Sequence, residues 1–126
     1  MAETILITED DEQNRKLFKD ILQVAGYGIL EARDGLEALV LAREKRPDLI
    51  LMDVQMPVMD GLEAVKQLKA DPATRLIPII AISAFAMDRD EDRALAAGCD
   101  GYLSKPFGVK AFRDMVALYL LPGPRG

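Results

Sequence analysis

Short apolar runs bounded by turn-forming residues recur along the chain, and this pattern is typical of β-strands. Two of the runs, residues 49–52 and 79–82, are continuously apolar rather than alternating, as in strands that a parallel sheet buries on both faces. The five predicted strands are Thr4–Thr8, Gly28–Ala32, Asp48–Asp53, Ile77–Ser83 and Gly101–Ser104.

The segments between these strands carry apolar residues at helical spacing. In the first segment, Leu17, Phe18, Ile21 and Leu22 share one helix face until Gly26 ends the pattern. The other predicted helices are Leu36–Arg46, Gly61–Ala70, Asp88–Ala97 and Val109–Leu120. Strands alternating with helices predict a (βα)5 α/β fold, a doubly wound five-stranded parallel sheet with helices on both faces. We expect one domain over residues 1–121 and a short C-terminal tail over residues 122–126.

The composition excludes several kinds of chemistry. The chain has 126 residues, with 16 Lys and Arg against 21 Asp and Glu, one Cys and no His. A disulfide within the chain, a Cys/His zinc site and a Ser–His–Asp triad are therefore impossible. The acidic balance disfavours binding to nucleic acid or to an anionic membrane surface. Neither a secretory signal nor an apolar run of ~20 residues is present, so we expect a cytoplasmic protein.

Polar side chains stand at the predicted carboxyl ends of four strands. In a sheet of strand order 2-1-3-4-5 these ends are neighbours, at the edge where ligands bind. They are Glu9-Asp10-Asp11, Asp53, Ser83 and Lys105. Clustered carboxylates repel each other unless they hold a cation, and an all-oxygen site suits Mg²⁺. Such an ion could bridge Asp53 to a phosphoryl group, which Lys105 would pair with and Ser83 would hydrogen-bond. The pattern predicts that Asp53 is a nucleophile.

Each of these residues also has an explanation without chemistry. The acids at 9–11 precede a helix and could cap it, and Asp53 could begin a turn. Ser83 and Lys105 could be ordinary polar groups at strand ends. The joint placement of all of them at neighbouring strand ends favours a site. A cofactor loop that binds phosphate directly is disfavoured, because the loop after the first strand is acidic and lacks glycine.

Three segments that contain these strand ends resemble the receiver domains of two-component response regulators. They are residues 5–10 (ILITED), 48–61 (DLILMDVQMPVMDG) and 101–107 (GYLSKPF). The resemblance extends over nearly the whole chain and implies a flavodoxin-like, CheY-like fold of strand order 2-1-3-4-5. In finer detail the chain is similar to the DivK-type stand-alone receivers of alphaproteobacteria.

The resemblance implies a phosphoryl acceptor and a metal site. Asp53 would accept a phosphoryl group from a sensor histidine kinase or a histidine phosphotransfer protein. Asp10, Asp53 and the main-chain carbonyl of Gln55 would hold Mg²⁺, and Glu9 would contribute through a water molecule.

It also implies a conformational switch. Ser83 would be the switch hydroxyl, Tyr102 the switch aromatic residue, and Lys105 the lysine that pairs with the phosphoryl group. Phosphorylation would change the face made by the fourth helix, the fifth strand and the fifth helix, where we expect a partner protein. The predicted partner surface consists of Phe85, Met87, Tyr102 and Phe107. The alternative is that these apolar residues belong to the core.

The resemblance further limits what the chain would do. It would catalyse only its own phosphorylation and dephosphorylation, so we do not expect an enzyme with a separate substrate. The signal would leave by contact with a downstream protein, from a monomer or a phosphorylation-dependent homodimer. A degenerate receiver that acts as a phosphorylation-independent scaffold is the alternative. The polar residues of the first helix fit either kinase docking or a solvated face; they are Gln13, Arg15, Lys16 and Lys19.

Overall fold

Strands and helices alternate in the predicted order. The computed structural model describes residues 3–54, 61–83, 88–105 and 107–120. The strands are β1 (Thr4–Thr8), β2 (Gly28–Ala32), β3 (Leu49–Asp53), β4 (Ile79–Ser83) and β5 (Gly101–Ser104). The helices are α1 (Glu12–Val24), α2 (Gly35–Lys45), α3 (Gly61–Ala70), α4 (Asp88–Ala97) and α5 (Val109–Tyr119).

These strands form one parallel sheet in the order β2-β1-β3-β4-β5, which confirms the predicted topology. Every residue of β3 and β4 is buried, as their continuously apolar sequences indicate. The strand order reverses between β1 and β3, and this is where doubly wound sheets bind ligands. In the register, Thr8 lies beside Met52 and Asp53 lies beside Ile82. The carboxyl ends of β1, β3 and β4 are therefore level with one another.

The buried side chains form two clusters, one on each face of the sheet. The first cluster joins the sheet to α2, α3 and α4, and its members include Leu6, Ile50, Met52, Ala64 and Leu68. The second joins the sheet to α1 and α5, and its members include Ile5, Phe18, Leu22, Phe112 and Val116. Burial of one large apolar side chain contributes ~1.5–3 kcal/mol to stability. Each helix therefore packs its apolar side chains against the sheet, and the two clusters show which face of the sheet each helix covers.

Several elements begin or end one or two residues away from their predicted bounds. Helix α2 begins at Gly35 because the Asp34 carboxylate accepts the Glu37 N–H at 2.8 Å and caps the helix. The Glu37 carboxylate in turn accepts the Arg33 N–H at 3.1 Å. Strand β4 begins at Ile79 rather than Ile77, since the intervening proline has no N–H for a ladder hydrogen bond. Strand β3 begins one residue after its predicted start. Helices α2 and α5 each end one residue before their predicted ends.

Two predictions concern the chain as a whole. In the part of the chain that the structure describes, no helix combines the length and apolar character that crossing a membrane requires. The predicted tail, residues 122–126, lies outside the described residues, so the domain boundary at residue 121 stays a prediction.

Candidate functional site

Three carboxylates converge at the carboxyl ends of β1 and β3. Glu9 and Asp10 follow β1 directly, and Asp53 is the last residue of β3. Because the two strands are parallel neighbours, each carboxylate places an oxygen atom within 4.8 Å of the other two. Glu9 and Asp53 are buried, at 1% and 6% exposure, whereas Asp10 is exposed. The structure thus brings these three predicted site residues together.

Asp11, the third acid of the run after β1, has a structural role. It is the N-cap residue of α1, and its carboxylate accepts the Asn14 N–H at 3.0 Å. Capping of this kind satisfies a backbone N–H that the first helical turn leaves without a partner. For Asp11 the capping explanation is therefore the right one.

Lys105, which follows β5, places its ammonium group against the acidic cluster. Its Nζ lies 2.9 Å from Oε1 of Glu9 and 4.0 Å from Oδ2 of Asp53. The same atom lies 5.9 Å from the centroid of the Phe18 ring in α1. The Lys105 main-chain N–H donates to the carbonyl of Ser83 at 2.7 Å, which ties the end of β5 to β4. The lysine side chain thus reaches from the end of β5 to the ends of β1 and β3.

Burial and like charge alter the protonation of the cluster. The pKa of Glu9 rises from 4.5 to about 7, chiefly because burial disfavours the charged carboxylate and next because it contacts Asp53. Lys105 acts in the opposite direction but does not cancel these effects. The pKa of Asp10 is raised as well, first by desolvation and then by Glu9. Glu9 and Asp10 therefore ionise less readily than ordinary carboxyl groups unless further positive charge is present.

This donor set fits the predicted Mg²⁺ site. Carboxylate oxygens are the hard ligands that this ion prefers, and it usually retains water molecules alongside one or two carboxylates. Glu9, Asp10 and Asp53 supply such oxygens around one point, and one ammonium group cannot offset three carboxylates. The predicted fourth contributor, the main-chain carbonyl of Gln55, lies outside the described residues.

Ser83 stands at the same edge, at the end of β4. The residue is fully buried, and its neighbour Ile82 pairs with Asp53 in the sheet. The Val54 N–H, one residue beyond Asp53, donates to the Ile82 carbonyl at 3.0 Å. The main chain of Asp53 and of Val54 after it is therefore held against β4, beside Ser83.

Two residues of the predicted partner surface, Tyr102 and Phe107, pack on opposite faces of the sheet. Tyr102, in β5, is partly buried and packs against the cluster beneath α2, α3 and α4. Phe107 packs against the cluster on the opposite face, with its ring stacked on Phe18 and Phe112 at centroid distances of 5.9 and 5.3 Å. The core explanation thus describes Phe107 well. Phe85 and Met87 lie outside the described residues, and docking at this surface stays a prediction.

Gly61 and Arg15 contribute to the site, although the sequence analysis did not assign them to it. Gly61 opens α3, and a Cβ atom on it would collide with the carbonyl oxygen of Asp53 and the Cα of Val54. Arg15, interpreted above as surface, donates from Nη1 to the main-chain carbonyl of Glu9 at 2.9 Å. The position of Gly61, at the start of a helix soon after a strand-end acid, is a sequence signal for its contact with Asp53. No sequence pattern indicates the contact of Arg15 with the Glu9 carbonyl.

The sequence is similar to a known protein family over most of its length. The model of the response regulator receiver domain matches residues 5–117. The polar-differentiation response regulator DivK of Brucella anthropi is 51% identical over 120 residues, which are 95% of this chain and 98% of that protein.

Solved structures agree in fold. The receiver domain of a sensor histidine kinase from Pseudomonas aeruginosa, solved with a magnesium ion coordinated in its active site cleft, superposes with a TM-score of 0.89 at 33% identity. The comparison covers 95% of this chain and 98% of that one. The chemotaxis protein CheY4 of Vibrio cholerae gives a TM-score of 0.89 at 32% identity, covering 95% and 100% of the two chains. The chain belongs to the receiver domain family of two-component response regulators.

Proposed function

We propose that Asp53 accepts a phosphoryl group and that the resulting aspartyl phosphate controls binding to other proteins. The observation that carries this proposal is the position of Asp53, a buried carboxylate 4.0 Å from the Lys105 ammonium and within the acidic cluster. A buried acid with both a cation and metal ligands beside it is suited to phosphoryl transfer, which depends on positioning and charge stabilisation.

The side chains divide the reaction between them. A carboxylate oxygen of Asp53 forms a bond to phosphorus while the bond from phosphorus to the donor's imidazole nitrogen breaks, and that nitrogen keeps the electron pair. Lys105 already lies between Glu9 and Asp53, so its ammonium group can pair with an oxygen of the phosphoryl group. Ser83, at the adjacent strand end, would donate its hydroxyl to another oxygen. Hydrolysis by water later returns the carboxylate and releases phosphate.

Asp10, Asp53 and the Gln55 carbonyl would hold Mg²⁺ in this reaction, with Glu9 acting through water. When bound, the ion supplies positive charge that offsets the repulsion between the carboxylates and the incoming phosphoryl group. The magnesium ion in the cleft of the Pseudomonas aeruginosa receiver domain supports this assignment.

The proposed phosphoryl donor is a sensor histidine kinase or a histidine phosphotransfer protein. We propose that the chain catalyses only its own phosphorylation and dephosphorylation and acts on no separate substrate. We expect the signal to pass to a downstream protein that binds the chain. The similarity to DivK supports a role in polar differentiation. We expect the protein to meet its phosphoryl donor and its downstream partner in the cytoplasm, where the lone Cys99 stays reduced. We expect it to be a monomer or a phosphorylation-dependent homodimer. A phosphorylation-independent scaffold is not favoured, because Glu9, Asp10, Asp53 and Lys105 come together at one point.

Intact-mass measurement tests the proposal. The protein is incubated with Mg²⁺ and acetyl phosphate, a small donor that needs no kinase. We expect the mass of one phosphoryl group to be added to the wild-type chain but not to an Asp53→Asn variant, nor to wild type in excess chelator. Equal addition in the Asp53→Asn variant would overturn the proposal.

A further inference from the structure

Arg15 carries its charge in an unfavourable position. It lies in the first turn of α1, which begins at Glu12, where the helix dipole disfavours a cation. Its side chain is nonetheless only 13% exposed, and removing a charged group from water is costly unless hydrogen bonds compensate. The contacts of the guanidinium group must therefore account for its position.

The guanidinium group joins the acidic loop to strand β2. Nη1 donates to the main-chain carbonyl of Glu9 at 2.9 Å, and Nε donates to Oε1 of Glu31 at 3.3 Å. Glu31 belongs to β2, and its second oxygen lies 3.4 Å from the ammonium of Lys19. One side chain thus connects α1, the loop after β1 and the edge of the sheet.

These contacts hold the main chain of Glu9 from two sides. Its N–H donates to the Ala32 carbonyl of β2 at 3.0 Å, and its carbonyl accepts from Arg15. With both main-chain groups occupied, the direction of the side chain is restricted, and its oxygens contact Lys105 at 2.9 Å and the Asp11 N–H at 3.4 Å.

We propose that Arg15 is a positioning residue, which fixes the loop of Glu9 and Asp10 so that the acidic cluster is ready to receive a cation. Outer partners of this kind typically change metal affinity by 10- to 100-fold when they are removed. The inference rests on the proposed function, since it assigns Arg15 a part in the same metal site.

An Arg15→Met variant tests the inference against a matched control. Methionine keeps an unbranched apolar stem and removes every guanidinium contact. Arg43→Met is the control, because Arg43 also pairs through Nε with a carboxylate, that of Asp71 at 2.8 Å, but away from the acidic cluster. The readouts are calorimetric titration with Mg²⁺ and amide hydrogen exchange at residues 9–11 in metal-free protein.

We expect Arg15→Met to bind Mg²⁺ about tenfold more weakly than wild type and to exchange the amides of residues 9–11 faster. Arg43→Met should match wild type in both measurements. Affinity and exchange that are unchanged in Arg15→Met, or changed equally in Arg43→Met, would overturn the inference. If Arg15→Met does not fold, Arg15→Lys takes its place, because lysine retains the charge but cannot make both contacts, and the same outcomes apply.

A Glu31→Gln variant separates the two contacts of Arg15. It removes the ion pair and leaves the hydrogen bond to the Glu9 carbonyl, so we expect a smaller loss of affinity than in Arg15→Met. An equal loss would assign the effect to the ion pair and refute positioning through the carbonyl. Neither readout needs a phosphoryl group, so a wild-type chain that is never phosphorylated would refute the proposed function while the amide exchange still tests Arg15.

Discussion

At the scale of the residue, the environment of Glu9 determines how the metal-free site responds to pH. Its pKa of about 7 in the folded protein lies above its ordinary value of 4.5, because of burial and the contact with Asp53. Asp10 is shifted in the same direction. Protons and a bound cation therefore compete for the same carboxylates.

We expect the metal-free protein to lose stability as the pH rises from about 4.5 to about 7. In this window the unfolded chain has released the Glu9 proton while the folded protein keeps it, so a rise in pH favours unfolding. Thermal unfolding in chelator should give a Tm a few degrees lower at about pH 8 than at about pH 5.

A Glu9→Gln variant is the control for this dependence. It should show much less change in Tm between the two pH values, and a change as large as that of wild type would contradict the account.

Two other groups with shifted pKa values titrate outside this pH window. The pKa of Asp71 is lowered from 3.8 by hydrogen bonds from the Ala73 N–H and Arg43, and burial raises the pKa of Cys99 from 9.0 to about 12.

At the scale of the element, the start of α3 is packed directly against the main chain of the proposed acceptor. Gly61, its first residue, leaves no room for a Cβ atom beside the Asp53 carbonyl and Val54. The absence of a side chain thus allows the helix to approach the end of β3. This contact links the placement of a helix to the placement of the Asp53 carboxylate.

A Gly61→Ala variant is expected to lower the free energy of unfolding by ~1–3 kcal/mol, because the added methyl group must displace backbone. Chemical denaturation measures this change, and slower phosphoryl uptake from acetyl phosphate should accompany it. Gly28→Ala is the control, since a Cβ there would make only ordinary contacts, such as 3.6 Å to Oγ1 of Thr4. Equal stability of the two variants would show that α3 can shift without cost.

At the scale of the whole molecule, the proposed chemistry and a structural hub occupy opposite ends of the sheet. At the amino ends of the strands, Lys69 of α3 donates to the Arg75 and Ile77 carbonyls and to Oδ2 of Asp100. The Asp100 carbonyl also accepts from the Tyr119 hydroxyl of α5 at 2.6 Å. These bonds connect α3, the segments before β4 and β5, and α5, while the carboxyl ends of the strands carry the acidic cluster.

A Lys69→Met variant should therefore reduce stability by about 1.5–3 kcal/mol, the range for hydrogen bonds to charged groups, without weakening Mg²⁺ binding. Urea denaturation and Mg²⁺ titration measure the two effects separately. Lys110→Met is the control, since the exposed Lys110–Asp114 pair within α5 contributes little. Loss of Mg²⁺ affinity in Lys69→Met would contradict the separation of hub and site.

Much of this architecture was predictable from the sequence, because continuously apolar runs identify buried parallel strands and their polar ends meet at one edge. Glu9, Asp10, Asp53 and Lys105 lie where that reasoning placed them. What depends on three-dimensional packing was not predictable. Local sequence patterns do not indicate the direction of the Arg15 side chain. They also do not indicate that Tyr102 and Phe107 lie on opposite faces of the sheet, or that burial raises the pKa of Glu9.

Identification of the modified residue tests the central claim most directly. Borohydride reduces an aspartyl phosphate to homoserine, so protein treated with Mg²⁺ and acetyl phosphate is reduced, digested and sequenced by mass spectrometry. The account predicts homoserine at position 53, and none there when the phosphoryl donor is omitted. Homoserine at another acid such as Asp10, or none in protein that has gained a phosphoryl group, would contradict it.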